Sequence, residues 1–244
     1  APLGQLLRSN KREVVLAALI FAGNNAAGYL VIAFFASYGT KVLGMSRADT
    51  LAASLIGGLG WLIFTMFGGW ISDRLGRVRT FQLGYAIIIL WAIPMWFLLN
   101  TASLPLFALA IFVLTIGLGP SYGPQSALYA EMFPARVRFS GVSIGYAFGS
   151  IIGGAFAPMI AQLLLNRTGS AWAIGIYISA LCLVSFIAVS MVRRSDQDSE
   201  LHVAEVHEEY FEEHPDFVEQ HPTAAQRLLA DSGGDPSSIE RPER

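Results

Sequence analysis

Asn100-Thr101-Ala102-Ser103-Leu104-Pro105 lies near the middle of Thr80–Ala130, a stretch without a single Asp, Glu, Lys or Arg. A helix needs about 20 mostly apolar residues to cross the hydrocarbon core of a bilayer. Thr80–Ala130 is about twice that length, and the turn chemistry of 100–105 divides it into two helices. Four more uncharged stretches flank it: Val14–Thr40, Thr50–Ser72, Phe139–Asn166 and Thr168–Val192. Six membrane-spanning helices follow. The fold class expected is an all-α membrane protein, because a soluble core has no need of five uncharged runs of this length.

The chain of 244 residues is 54% hydrophobic and only 14% charged, against about 25% charged in soluble domains. Its charges are segregated. Residues 195–244 hold 14 of the 18 acids and 3 of the 16 basic residues, close to −11. The first 194 residues hold the other 4 acids and 13 basic residues, close to +9. Three parts follow: a short N-terminal segment (1–12), a six-helix body (13–194) and an acidic tail (195–244) of the composition that stays disordered. The chain starts with Ala1, which hints at a fragment or a processed chain.

Lys and Arg in short loops set orientation. One side carries Arg8, Lys11, Arg12, Arg74, Arg77, Arg79, Arg136, Arg138, Arg193 and Arg194; the other carries Lys41, Arg47 and Arg167. The charge bias and the even helix count together place both ends in the cytoplasm of a multi-pass protein of the cell membrane.

Gly68-Gly69-Trp70-Ile71-Ser72-Asp73-Arg74-Leu75-Gly76-Arg77-Val78-Arg79 forms a very tight turn between the second and third helices. Gly76 can supply a backbone conformation closed to other residues. Asp73 is an acid among three arginines. Between the fourth and fifth helices stands Glu131-Met132-Phe133-Pro134-Ala135-Arg136-Val137-Arg138-Phe139-Ser140-Gly141.

On these residues the chain resembles the major facilitator superfamily. Its signature loop runs G-x-x-x-D-R-x-G-R-R, matched by Gly69, Asp73, Arg74, Gly76 and Arg77, with Val78 departing at the last basic position. The second loop is similar to the E-x-F-P-x-x-x-R-x-x-G loop of the sugar-porter-like branch and its metabolite:proton symporter relatives, carried by Glu131, Pro134, Arg138 and Gly141. The resemblance covers roughly residues 8–194. It implies the C-terminal half of a twelve-helix bundle, built as two inverted three-helix repeats, with the N-terminal half or a second copy of the chain as partner. It also implies alternating access with proton coupling, for a small polar metabolite such as an organic acid. A six-helix scaffold that moves nothing, or a half-transporter active only as a dimer, is the alternative.

The loops can serve as a cytoplasmic gate. Glu131, Arg74, Arg77 and Arg138 can form an ion-pair network, and Asp73 can face the positive end of a helix, by resemblance one in the other half. Such exposed pairs are worth about 0–1 kcal/mol each, which suits a switch between states of similar energy.

The substrate path is sought where helices can break. The first helix holds Ala22-Gly23-Asn24-Asn25-Ala26-Ala27-Gly28-Tyr29, and the fourth holds Gly117-Leu118-Gly119-Pro120-Ser121-Tyr122-Gly123-Pro124-Gln125. Asn24, Asn25, Tyr29, Tyr38, Tyr122 and Gln125 can hydrogen-bond a small polar substrate there, or act as glue between helices. Gly141, Gly145, Gly149, Gly153, Ala157 and Ala161 recur at intervals of four and read as a helix-packing face.

Ionisable groups at mid-membrane depth are absent, so a coupling residue for protons is expected outside this chain. Cys182 has no histidine in the membrane segments, so no nucleophilic pair and no catalytic residue is expected. There is no phosphate-cradling loop of the Walker type, so the chain does not power itself with ATP; no cofactor and no nucleic-acid partner are expected. His202, His207, His214 and His221 sit in the acidic tail, and no metal site is read from them. The Asn166-Arg167-Thr168 sequon is read as chance.

Overall fold

The computed structural model describes residues 10–133, 137–192, 210–211, 216–217 and 221–231. Every regular element among them is helical. The elements are α1 (Lys11–Lys41), α2 (Arg47–Leu75), α3 (Arg77–Trp91), α4 (Met95–Leu99), α5 (Leu104–Leu118), α6 (Gln125–Met132), α7 (Arg138–Thr168), α8 (Trp172–Ser190) and α9 (Pro222–Asp231).

Among the described residues α1, α2, α7 and α8 are long and apolar enough to cross a membrane, whereas six spans are read from the sequence. The other two expected spans are each divided. Arg77–Leu99 breaks after Trp91, where Pro94 lacks the N–H that would continue the ladder. Leu104–Met132 breaks at 119–124, where Gly119, Pro120, Gly123 and Pro124 stand within six residues. The turn between these two runs falls at Asn100–Ser103, as the sequence reading places it, with Ala102 at a positive φ of 55°.

The first helix behaves otherwise. An interruption is expected at 22–29, yet α1 runs through it without a break. It widens only beyond Tyr29, into a π-helical turn over Leu30–Phe34. Glycine and asparagine lower helix preference by at most about 1 kcal/mol each. Without proline every backbone donor remains, and burial on all sides holds the helix.

Buried from Val14 to Phe35 on most of its circumference, α1 is the axis of the bundle. It packs against α7 and α8; α8 packs on α3, and α2 and α3 pack on α5. Hydroxyls from three neighbours reach its backbone carbonyls: Tyr85 to Ile20, Tyr129 to Ala17, and Ser185 to Leu19 at 2.6 Å. Interhelical hydrogen bonds in membranes average about 0.6 kcal/mol. Three of them fix the register of α1 more than they stabilise the bundle.

The four-residue glycine repeat of α7 is a packing face. A Cβ on Gly149 would lie 2.9 Å from the carbonyl oxygen of Ala18, and one on Gly153 would lie 2.1 Å from that of Ala22. Only hydrogen lets the α1 and α7 backbones come this close.

In the tail, read as disordered, residues 222–231 form α9, and Ala225 and Leu229 are buried beside Phe211 and Phe217. The histidines at 202, 207 and 214, the arginines at 8, 136, 193 and 194, and Pro134 lie outside the described residues.

Candidate functional site

The break between α5 and α6 is held from two sides by backbone. A Cβ on Gly119 would lie 2.2 Å from the carbonyl carbon of Phe64 in α2, and one on Gly68 would lie 2.7 Å from the Cα of Pro120. On the other side, a Cβ on Gly84 of α3 would lie 2.6 Å from the backbone nitrogen of Ser121. Irregular backbone at membrane depth is tolerated only when buried in protein or lining a cavity. Here it is clamped between α2 and α3.

Asn24 of α1 completes the break. Its Nδ2 donates to the carbonyl of Leu118 at 3.0 Å and to Ser121 Oγ at 2.7 Å. In a continuous helix the Leu118 carbonyl would accept from the N–H of Tyr122, which bonds instead to Gly119. The Asn24 amide therefore serves the fold of the break.

Asn25, one residue on, is 9% exposed, and its Nδ2 has no hydrogen-bond partner. Gln125, first residue of α6, is 4% exposed, and neither its Oε1 nor its Nε2 is bonded. The Tyr129 hydroxyl stands beside the Gln125 side chain and donates to the Ala17 carbonyl. Trp61 of α2 is half-buried, with its Nε1 also unbonded. Leaving a buried polar group unpaired costs about 1–3 kcal/mol.

Aromatic side chains connect these groups. Tyr29 and Asn25 both lie against Gly154, where a Cβ would meet the Tyr29 ring at 2.8 Å and Asn25 Nδ2 at 3.1 Å. The Trp61 ring lies against Gly28 and stands edge-on to Tyr122, with centroids 6.0 Å apart. The hydroxyls of Tyr122 and Tyr146 are 3.4 Å apart, and Tyr146 packs on Phe21 at 4.4 Å. Tyr29 and Tyr146 are each 42% exposed, so this face of the bundle is open. The π-helical turns at Leu30–Phe34 and Ser150–Ala155 flank it, one following Tyr29 and the other containing Gly154. Such turns recur at functional sites.

Of the residues expected along the substrate path, Asn25, Tyr29 and Tyr122 lie around this aromatic cluster; Gln125 is joined to it through its backbone bond to the Tyr122 carbonyl, and Asn24 is engaged with the break. Tyr38 lies elsewhere and donates to Asn100 Oδ1 at 2.6 Å. The sequence reading missed Trp61, Tyr146 and Phe21. Nothing in their spacing marks them: Tyr146 stands in the helix read for its glycine repeat, and Trp61 and Phe21 are single aromatics in apolar runs.

The arginine-rich corner lies between α2 and α3. Gly76 has φ 89° and ψ 150°, a region essentially closed to residues with a Cβ. This turns the chain while Gly76 N–H still bonds to Ser72. Arg77 then folds back. It pairs with Asp73, donates to Ser72 Oγ at 2.7 Å and reaches Glu131 Oε1 at 3.4 Å. Partial burial works against the Arg77 cation, but its bonds to Asp73 and Glu131 outweigh this and raise it above its ordinary value. Stability from a raised cation is complete below the ordinary arginine value and is lost only above it. Physiological pH therefore does not open this corner through Arg77.

The expected network of Glu131, Arg74, Arg77 and Arg138 forms only in part. Arg74 makes no ion pair among the described residues. Its guanidinium lies over the Trp70 ring at 4.1 Å, a cation–π contact that needs no carboxylate. Arg138 begins α7. Gly69, by contrast with Gly68, faces open space.

Uncharged polar groups thus stand around a clamped break in a bundle of apolar helices. The chain belongs to the Major Facilitator Superfamily, whose family model matches residues 1–158. It is 33% identical over 172 residues to the shikimate transporter of Escherichia coli (strain K12), covering 69% of this chain and 39% of that protein. It is 29% identical over 203 residues to the inner membrane metabolite transport protein YhjE of the same organism, covering 81% of this chain and 46% of that one. It is 28% identical over 194 residues to a citrate-proton symporter of Salmonella typhi, covering 78% and 44%. The chain thus spans less than half the length of these curated relatives. Family and relatives are transporters, not enzymes, and the chain is an integral membrane protein.

Proposed function

We propose that this chain forms one six-helix half of a proton-coupled symporter for a small organic acid, with its substrate site at Asn25, Tyr29, Trp61, Tyr122, Gln125 and Tyr146. The observation that carries the reading is the set of unpaired buried groups around one open aromatic face. Asn25 Nδ2, Trp61 Nε1 and Gln125 Nε2 are donors without acceptors. Oxygens of a hydroxylated acid would recover what their burial costs, and the tyrosine rings would cover its carbon frame. The named substrates of two relatives, shikimate and citrate, are both small oxygen-rich acids, which supports the class.

The site carries no charge. The counter-charge for a carboxylate, and the proton-coupling acid, then belong to the other half of the transporter, across the open face. That half covers α2 and α7, whose apolar side chains Leu55, Leu62, Met66, Phe148 and Met159 are exposed. Both ends of the chain lie in the cytoplasm of a plasma-membrane protein, which puts the Asp73–Arg77–Glu131 corner on the inner side. There it holds one state closed and opens in the other. The set for this gate is Gly69, Asp73, Arg74, Gly76, Arg77, Glu131 and Arg138, with Arg77 as its hub.

The test is uptake of radiolabelled shikimate and citrate into cells expressing the full transporter, with and without a protonophore. Accumulation that collapses with the proton gradient is expected. Uptake of neither acid, or uptake indifferent to the gradient, would overturn the reading.

A further inference from the structure

A groove of about 450 Å³ runs along the outside of the bundle between the start of α1 and the end of α8. Val15, Leu19, Ile187 and Met191 line it, and Lys11 and Arg12 stand at one end. From Lys11 to Leu19 it follows α1 for about 12 Å, at 1.5 Å per residue. Val15, Ile187 and Met191 are each more than half exposed. Arg12 is fixed across the end by a hydrogen bond to the Met191 carbonyl, with Glu13 at 3.7 Å. Lys11 is exposed and makes no ion pair among the described residues.

We propose that this groove holds one anionic phospholipid, its phosphate at Lys11 and Arg12 and an acyl chain along Val15, Leu19, Ile187 and Met191. The polarity of the groove selects the occupant. Its walls are apolar along their length and its cations are confined to one end, which is the layout of a lipid. Basic pockets between transmembrane helices bind anionic headgroups by the same arrangement. The acidic tail is the competing occupant, since its net charge also complements the two cations. Its acids, however, recur every few residues between Glu205 and Glu219, and the apolar walls would strip water from them without pairing them. The site is independent of the substrate reading and lies on another face of α1.

The test uses the full chain in lipid nanodiscs doped with phosphatidylglycerol or phosphatidylcholine carrying a photoactivatable acyl chain, with labelled peptides mapped by mass spectrometry. The phosphatidylglycerol probe is expected to label the peptides of Val15–Leu19 and Ile187–Met191 at least fivefold more than the phosphatidylcholine probe. A basic residue near an anionic surface contributes about a fivefold preference, so Lys11→Gln is expected to remove about that much. Ile187→Trp, which fills the groove and leaves both cations, is expected to abolish labelling there with the melting temperature unchanged. Equal labelling by both lipids, or labelling that survives Ile187→Trp, would overturn the proposal. So would a photo-crosslinker at position 187 that captures tail residues 195–244 instead of lipid.

Discussion

Helix α1 and the α5–α6 segment both carry glycines and polar side chains at the depth of the proposed site, and they meet lipid-phase constraints in opposite ways. The α1 stretch Gly23-Asn24-Asn25 keeps its helix and lends one amide to its neighbour. The Gly119–Pro124 stretch breaks, and its freed carbonyl at Leu118 is answered by that same amide. The difference is proline. Two missing N–H groups cannot be restored by packing, whereas a glycine or asparagine keeps its donor and yields to it. A motif that reads as breakable is broken only where donors are lost.

The clamp on the break is the strongest point of this contrast. Gly119→Ala places a methyl group against the backbone of Phe64, where nothing flexible can give. It is expected to cost about 1–3 kcal/mol or more and to lower the melting temperature in detergent clearly. Gly69→Ala, next to Gly68 of the clamp but facing open space, is the control. A methyl there gains about 0.5–1 kcal/mol of helix preference. Equal melting of the two variants would break the account of the clamp.

Asn24→Ala comes next. It removes two hydrogen bonds and leaves the Leu118 carbonyl with only the longer bond from Ser121 Oγ at 3.2 Å, for about 1–3 kcal/mol. Asn25→Ala removes an amide nitrogen with no partner and is expected to leave the melt within about 0.5 kcal/mol of the parent while lowering transport. A melt shifted alike by both substitutions would dissolve the distinction between glue and site.

Arg77→Gln gives a small stability change, about 1 kcal/mol or less, because its partner Asp73 is largely exposed. Its expected signature is kinetic. Slower turnover with unchanged membrane insertion fits a gate, and unchanged turnover removes the gate.

How much of this was legible in the sequence depends on the residue. The uncharged runs and the turn at Asn100–Ser103 follow from composition, since lipid tolerates few charges. The charged corner is legible because Gly76, Asp73 and Arg77 occur in fixed register. Pro94 gives no break signal in the sequence, as it sits in an otherwise unbroken apolar run. Asn24 and Asn25 look alike in sequence, and only the placement of the Leu118 carbonyl separates them. Trp61 and Tyr146 reach the site from helices whose own patterns speak of packing, so three-dimensional proximity alone reveals them.

The central claim is that Gln125 is buried without partners because it waits for substrate. The direct measurement is Gln125→Leu, with transport and thermal melting recorded on the same full transporter. Uptake reduced at least tenfold, with a melting temperature equal to or above the parent, is the predicted result, because the leucine leaves no polar group unpaired. A lowered melting temperature with uptake retained would contradict it and make Gln125 a structural residue.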